Sequence, residues 1–269
     1  GRSRAGRDMA LPILMQQIKP IPDPKRYAFA DRMRLSLPLN WSQSEAFVAS
    51  YATDSFHCIQ GPPGTGKTWA LASLVKALAE NGETVLVTGL THRAINNALN
   101  KTRVLAPDLP LAKIGIPSQA RDLANVDNYA NFRETSFAAA FNQGYAVGAT
   151  PFAARSTRMA GVDFSVVIFD EASQITLPLA LMGMLSGNRA VFIGDEKQLP
   201  PVFSAKPIDE MLSKSIFEHL LPHGAVTMLE ETYRMNDALT AWPSERFYEG
   251  RLVAHESVAH RQLQFTIPP

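Results

Sequence analysis

The octapeptide Gly61-Pro62-Pro63-Gly64-Thr65-Gly66-Lys67-Thr68 constrains the fold of this chain more than any other feature. It fits G-x-x-x-x-G-K-[ST], and it lies between a short apolar run, Phe56-His57-Cys58-Ile59-Gln60, and a helical pattern that begins at Lys67. A strand, a glycine-rich turn and a helix in that order aim backbone amides and a positive helix end at one anion. In this reading Gly61, Pro62, Pro63, Gly64, Thr65 and Gly66 wrap a nucleotide's β-phosphate. Lys67 reaches the β- and γ-phosphates, and the Thr68 hydroxyl ligates Mg²⁺. The alternative, a glycine-rich turn that binds nothing, does not account for the strand and helix that flank it.

The rest of the chain continues the alternation. Further β-rich runs are predicted at 84–88, 112–116, 145–149, 164–169, 189–193 and 225–229, most of them separated by helical patterns such as 67–80, 93–104 and 177–185. Strands alternating with helices predict an α/β domain with a mostly parallel, twisted, doubly wound sheet and helices on both faces. Residues 1–40, with five prolines and no sustained period, read as an extended arm or the remnant of a preceding domain with little regular structure. The spacing Ser42-x-x-Glu45 predicts a capping box opening a helix to about Thr53. Residues 41–235 read as the nucleotide-binding domain, with a small helical insertion at about 117–143, and 236–269 as a connection leading away from it.

Composition removes several classes of function. With 46% hydrophobic and 19% charged residues, and no apolar run near the roughly 20 residues of a membrane span, a membrane protein is not expected. The single cysteine, Cys58, excludes a disulfide framework and a multi-cysteine zinc site, and it predicts a reducing, cytoplasmic setting and a buried core thiol. The basic start, Gly1 to Arg7, is not followed by the apolar region of a signal peptide and reads as a solvated tail. His219 and His223 are spaced i, i+4, but Pro222 lies between them and no further ligand is in step, so no zinc site is expected. Lys and Arg total 26 against 25 Asp and Glu, so nucleic acid would have to be bound through local contacts and not by the overall field.

A phosphate-binding loop needs a carboxylate at a neighbouring strand end, and Ser165-Val166-Val167-Ile168-Phe169-Asp170-Glu171 supplies it. Asp170 is the expected Mg²⁺ residue and Glu171 the general base for the attacking water. The next strand ends in Gly194-Asp195-Glu196-Lys197-Gln198-Leu199-Pro200-Pro201, where Gln198 could report on a γ-phosphate.

Taken in order, these residues resemble the superfamily 1 helicases, in particular the branch containing the nonsense-mediated-decay helicase and senataxin. The resemblance runs from about Leu39 to Leu252. It comprises Leu39-Asn40-Trp41-Ser42-Gln43, the phosphate loop, Thr88-Gly89-Leu90-Thr91-His92, Val147-Gly148-Ala149-Thr150, Asp170-Glu171-Ala172-Ser173 and Gly194 to Pro201. Ser215 to Glu218, Thr232-Tyr233-Arg234-Met235 and Pro243 to Gly250 are similar to that family's later blocks.

The resemblance implies a first RecA-like domain that binds ATP and Mg²⁺. Gln43 would read the adenine edge, Tyr233 would stack on the base, and Arg234 would approach the γ-phosphate. Thr91, His92, Thr150 and Pro201 would contact a single strand of DNA or RNA. It also implies 5′-to-3′ movement and a second RecA-like lobe carrying another arginine. This sequence stops before such a lobe, so a single lobe is expected to bind nucleotide, hydrolyse it poorly and unwind nothing. His92 departs from the family's usual Asn. A non-catalytic, nucleotide-dependent switch module remains an alternative. A GTPase is disfavoured by the lack of an Asn-Lys-x-Asp guanine reader.

Overall fold

The computed structural model describes residues 4–139, 143–202 and 210–262; residues 1–3, 140–142, 203–209 and 263–269 of the segments read above lie outside them. Eight strands form one sheet: β1 (Phe56–Gln60), β2 (Thr84–Gly89), β3 (Leu111–Ile114), β4 (Asp127–Tyr129), β5 (Tyr145–Gly148), β6 (Val166–Asp170), β7 (Ala190–Gly194) and β8 (Val226–Met228). Their order is β4-β3-β5-β2-β6-β7-β1-β8 and every pairing is parallel. A separate parallel pair joins β9 (Glu231–Thr232) to β10 (Val253–Ala254).

The helices are α1 (Arg4–Leu14), α2 (Pro24–Met33), α3 (Trp41–Ala52), α4 (Lys67–Glu80), α5 (His92–Leu105), α6 (Pro151–Ala154), α7 (Leu177–Met184), α8 (Glu210–Ser213), α9 (Ile216–Leu220), α10 (Asp237–Phe247) and α11 (Glu256–Ala259). No helix among the described residues is long and apolar enough to cross a membrane.

Alternation along the strands sorts the core into two clusters. Val85, Val87, Ile168, Val191 and Ile193 pack with Phe47 of α3, Leu71, Leu74 and Leu78 of α4, and Ile95 and Leu99 of α5. Leu86, Val167, Phe169 and Phe192 pack on the other face with Ile13 of α1, Met184 of α7 and Phe217 and Leu220 of α9. Because both faces are covered, these strands read as continuous apolar runs and not as alternating ones. The register sets Gln60 opposite Gly194 and Gly89 opposite Asp170, so the ends of β1, β7, β2 and β6 lie level along one carboxyl edge.

Three expectations from sequence are corrected. Residues 1–40 are not unstructured, because Pro24 occupies the first turn of α2 with Asp23 as its cap. In α1, Ala10 and Ile13 are buried in the second core cluster. The capping box of α3 is Asn40/Gln43 and not Ser42/Glu45: Asn40 accepts from the Gln43 amide at 2.8 Å, and Gln43 accepts from the Asn40 amide at 3.2 Å. Ser42 is diverted to tertiary use, its hydroxyl accepting from the Glu230 amide at 3.0 Å. The 117–143 segment is not a helical insertion among the described residues. It holds two short 3-10 turns, Pro117–Gln119 and Phe132–Glu134, separated by β4, which extends the sheet edge beside β3.

Candidate nucleotide and nucleic-acid site

The phosphate loop leaves β1 at Gly61 and enters α4 at Lys67, as the motif requires. Gly64 and Gly66 have φ of 80° and 81°, a left-handed backbone that glycine adopts without strain. Glycine is needed at both places for space as well. A Cβ on Gly64 would lie 2.6 Å from the Thr232 hydroxyl and collide with Arg234, and one on Gly66 would lie 2.7 Å from the Gln43 amide nitrogen. Thr65 closes the loop by donating its hydroxyl to the Pro62 carbonyl at 2.8 Å. Thr68 sits in the first turn of α4, beside Lys67.

Around Lys67 the edge residues converge. Its ammonium donates to the Gly61 carbonyl, and it senses the charges of Asp195, Asp170, Arg234 and Glu171. Burial pulls its pKa down, against the raising influence of Asp195, Asp170 and Glu171. Asp170 ends β6 and is 5% exposed; burial and then the Glu171 carboxylate push it up to about 6. It accepts the Glu171 amide at 3.0 Å, and Glu171 itself adopts φ of 52°, an unusual backbone for a non-glycine residue at the turn out of the strand. Gln198 donates its amide to Asp195 at 2.7 Å and to the Gly61 carbonyl at 3.4 Å.

These residues fit a magnesium–phosphate complex. A buried carboxylate raised by desolvation gains from a nearby cation, and Mg²⁺ characteristically takes one or two protein oxygens with the remainder from phosphate and water. Asp170 and Thr68 would hold the ion, which would neutralise phosphate charge. Among the described residues no group of three or more His, Cys, Asp or Glu could hold a metal by itself.

The raised pKa of Asp170 carries a pH prediction for the ligand-free chain in chelator. The folded carboxyl, at about 6, keeps its proton to higher pH than the unfolded one, so stability attributable to Asp170 falls as pH rises from about 4 to about 6 and is level above. His57, buried and pulled down to about 4, acts in the opposite sense over the same range. The difference between wild type and Asp170→Asn is therefore the informative quantity. Unfolding free energies from urea titrations between pH 4 and 7 should show this difference changing by an amount on the order of 3 kcal/mol.

The residues expected to read the base are already engaged within the protein. Gln43 is 4% exposed, caps its own helix and donates to the Thr65 carbonyl at 3.0 Å, so its amide braces the phosphate loop. Asn40, not singled out from sequence, donates to the Tyr233 hydroxyl at 3.0 Å. Tyr233 is anchored by its amide on the Gly64 carbonyl at 2.9 Å, and its partly exposed ring lies against His255, with centroids 4.4 Å apart. Thr232 donates to the Pro63 carbonyl at 2.9 Å, which seats β9 and Arg234 directly on the loop.

Three of the strand-contact candidates, Thr91, His92 and Thr150, follow β2 and β5, which lie three and four places from β1 in the sheet. Thr91 and Thr150 cap α5 and α6, accepting from Ala94 at 3.1 Å and Ala153 at 3.2 Å. A hydroxyl that accepts in this way still has its own proton to donate. His92 and Thr150 share a cleft of about 290 Å³ with Phe152 and Arg158. Beneath it the fully buried Lys113, whose pKa is brought down to about 8 by burial, bonds to Asn96. Pro201 is buried, whereas its neighbours Leu199 and Val202 are exposed.

Sequence reasoning missed Asp195, Asn40, Thr232 and Tyr248. All four stood inside quoted motifs without a role, and nothing local signalled that Tyr248 would donate to Asp195 at 2.7 Å.

Comparison with known proteins bears on the family and the fold. A family model described as AAA domain matches residues 38–263. The chain is 32% identical over 235 residues to the DNA replication ATP-dependent helicase/nuclease dna2 of Schizosaccharomyces pombe, covering 84% of this chain and 16% of that protein. It is 28% identical over 282 residues to DNA-binding protein SMUBP-2 of Mesocricetus auratus, covering 84% of this chain and 28% of that one. The chain therefore spans less than a third of the length of either relative. Among solved structures, the Arterivirus nonstructural protein 10 helicase in complex with DNA aligns with a TM-score of 0.52 at 18% identity, over 83% of this chain and 46% of that chain, a likeness of fold. With a family model spanning most of its length and ordered motifs mounted on a parallel RecA-like sheet, the chain belongs to the AAA domain family, and its motifs resemble those of the superfamily 1 helicases.

Proposed function

We propose that this chain is the ATP-binding lobe of an ATP-dependent helicase or translocase acting on single-stranded nucleic acid. The observation that carries the reading is the convergence of Lys67, Asp170, Glu171, Gln198 and Arg234 on one crevice of the carboxyl edge. Thr91 and Thr150 cap helices along the same edge. Phosphates would be bound by the loop amides and Lys67, the attacking water would lose its proton to Glu171, and Gln198 would register the γ-phosphate. Arg234 would complete charge stabilisation when a second RecA-like lobe closes on this one. Hydroxyl donors at Thr91 and Thr150 suit a sugar-phosphate backbone, positioning a strand without reading its sequence. The names of the relatives favour DNA as the strand, and resemblance favours 5′-to-3′ movement. The single buried cysteine and these relatives support an intracellular setting.

The test is steady-state ATP hydrolysis by the chain joined to its second lobe, with and without single-stranded DNA or RNA of matched length. Stimulation of at least about tenfold by DNA is expected, consistent with strand binding contributing more than one kcal/mol to the active geometry. ATP binding without stimulation by either polymer would move the assignment to a non-catalytic switch module.

A further inference from the structure

Tyr248 follows the last residue of α10, well beyond Arg234 in the chain, yet its hydroxyl reaches the phosphate edge. It donates at 2.7 Å to Oδ2 of Asp195, a side chain 1% exposed. The same oxygen accepts Nε2 of Gln198 at 2.7 Å, and that amide also leans on the Gly61 carbonyl, which holds Lys67. The other oxygen of Asp195 accepts the Lys197 amide at 3.2 Å. The Tyr248 ring packs in a small apolar cluster with Met228, Leu252 and Met235, the last being the residue after Arg234. One chain of contacts thus joins the arginine-bearing segment to Gln198.

We propose that Tyr248 is a positioning residue for γ-phosphate sensing: by donating to Asp195 it fixes the carboxylate that orients the Gln198 amide. The inference rests on the reading of this crevice as an ATP site. The physical reason is directional. With two donors on Oδ2 and one on Oδ1, the Asp195 carboxylate has a single satisfied rotamer, and Gln198 is held through it. Without the tyrosine hydroxyl, the carboxylate turns more freely about its Cβ–Cγ bond, and the long Gln198 side chain regains rotamer freedom that binding must then remove. ADP, which lacks the γ-phosphate, makes no demand on that orientation. The expected signature is a loss of discrimination between nucleotides and not a general loss of binding.

The experiment measures dissociation constants of the chain for ADP and for a non-hydrolysable ATP analogue, both with Mg²⁺, in wild type, Tyr248→Phe, Gln198→Ala and the double variant. Wild type should prefer the analogue. Tyr248→Phe should bind ADP within about twofold of wild type and lose roughly five- to tenfold of the preference, the worth of one hydrogen bond. The double variant should lose no more than Gln198→Ala alone, and the ¹⁵N side-chain amide signal of Gln198 should shift in Tyr248→Phe. Unchanged preference, equal weakening of both nucleotides, or additive losses would each overturn the role of Tyr248. Asp195→Asn provides a second route if Tyr248→Phe is poorly folded: it leaves one acceptor oxygen for three donors and must lose the same preference. A wild-type chain that binds neither nucleotide would instead overturn the ATP-site reading itself.

Discussion

Replacing Lys67 with alanine is expected to weaken nucleotide binding by at least about 100-fold and to abolish turnover, because two effects add. The phosphates lose a charge-assisted donor, and the acidic residues whose charges Lys67 now opposes, Asp195, Asp170 and Glu171, face them with less compensation. Asp170 provides an internal check. Lys67 lowers its pKa, so removing the lysine should raise that value beyond about 6, opposite to the effect of binding a cation. Calorimetric titration with Mg²⁺–ATP gives the affinity, and carboxyl chemical shifts against pH give the titration. Wild-type affinity in Lys67→Ala would mean that the loop amides alone hold the phosphates.

Glu171→Gln separates chemistry from binding. The substitution preserves size and the left-handed backbone at φ of 52°, and it removes only the basic oxygen. In a protein that joins the chain to the proposed second lobe, affinity for a non-hydrolysable ATP analogue should stay within about twofold while the turnover number falls roughly 10²–10⁴-fold, the usual worth of a positioned general base. A variant that retained turnover within a few fold would remove Glu171 from that role and leave water activation to another group. Because Glu171 donates its backbone amide, not its side chain, to Asp170, this substitution leaves that hydrogen bond in place.

Much of the site could be read along the chain because its chemistry is local. The phosphate loop needs glycines, a lysine and a threonine at fixed spacing between a strand and a helix, and all of these are neighbours in sequence. Asp170 and Glu171 were legible for the same reason, since a strand of Val166 to Phe169 delivers them to the carboxyl edge. Every strand of the main sheet except β4, and the helix over Lys67–Glu80, followed from apolar runs and their punctuation. By contrast, Gln43 was assigned to base reading, and nothing local showed that its amide would also brace the Thr65 carbonyl.

By itself the sequence determined the alternation of seven strands of the main sheet with several of its helices, the phosphate-loop turn and the carboxylates beside it, since each depends on residues within a few positions of one another. The tertiary structure alone decided which groups hold those residues still. Ser42 lost its capping role to a long-range bond with Glu230, α1 folded onto a face it could not identify from its prolines, and Asp195 gained Tyr248. Periodicity records which side of an element is apolar, but it carries no information about which distant polar group will meet a buried one. That choice is made only when the sheet's register and its two packed faces bring the chain together.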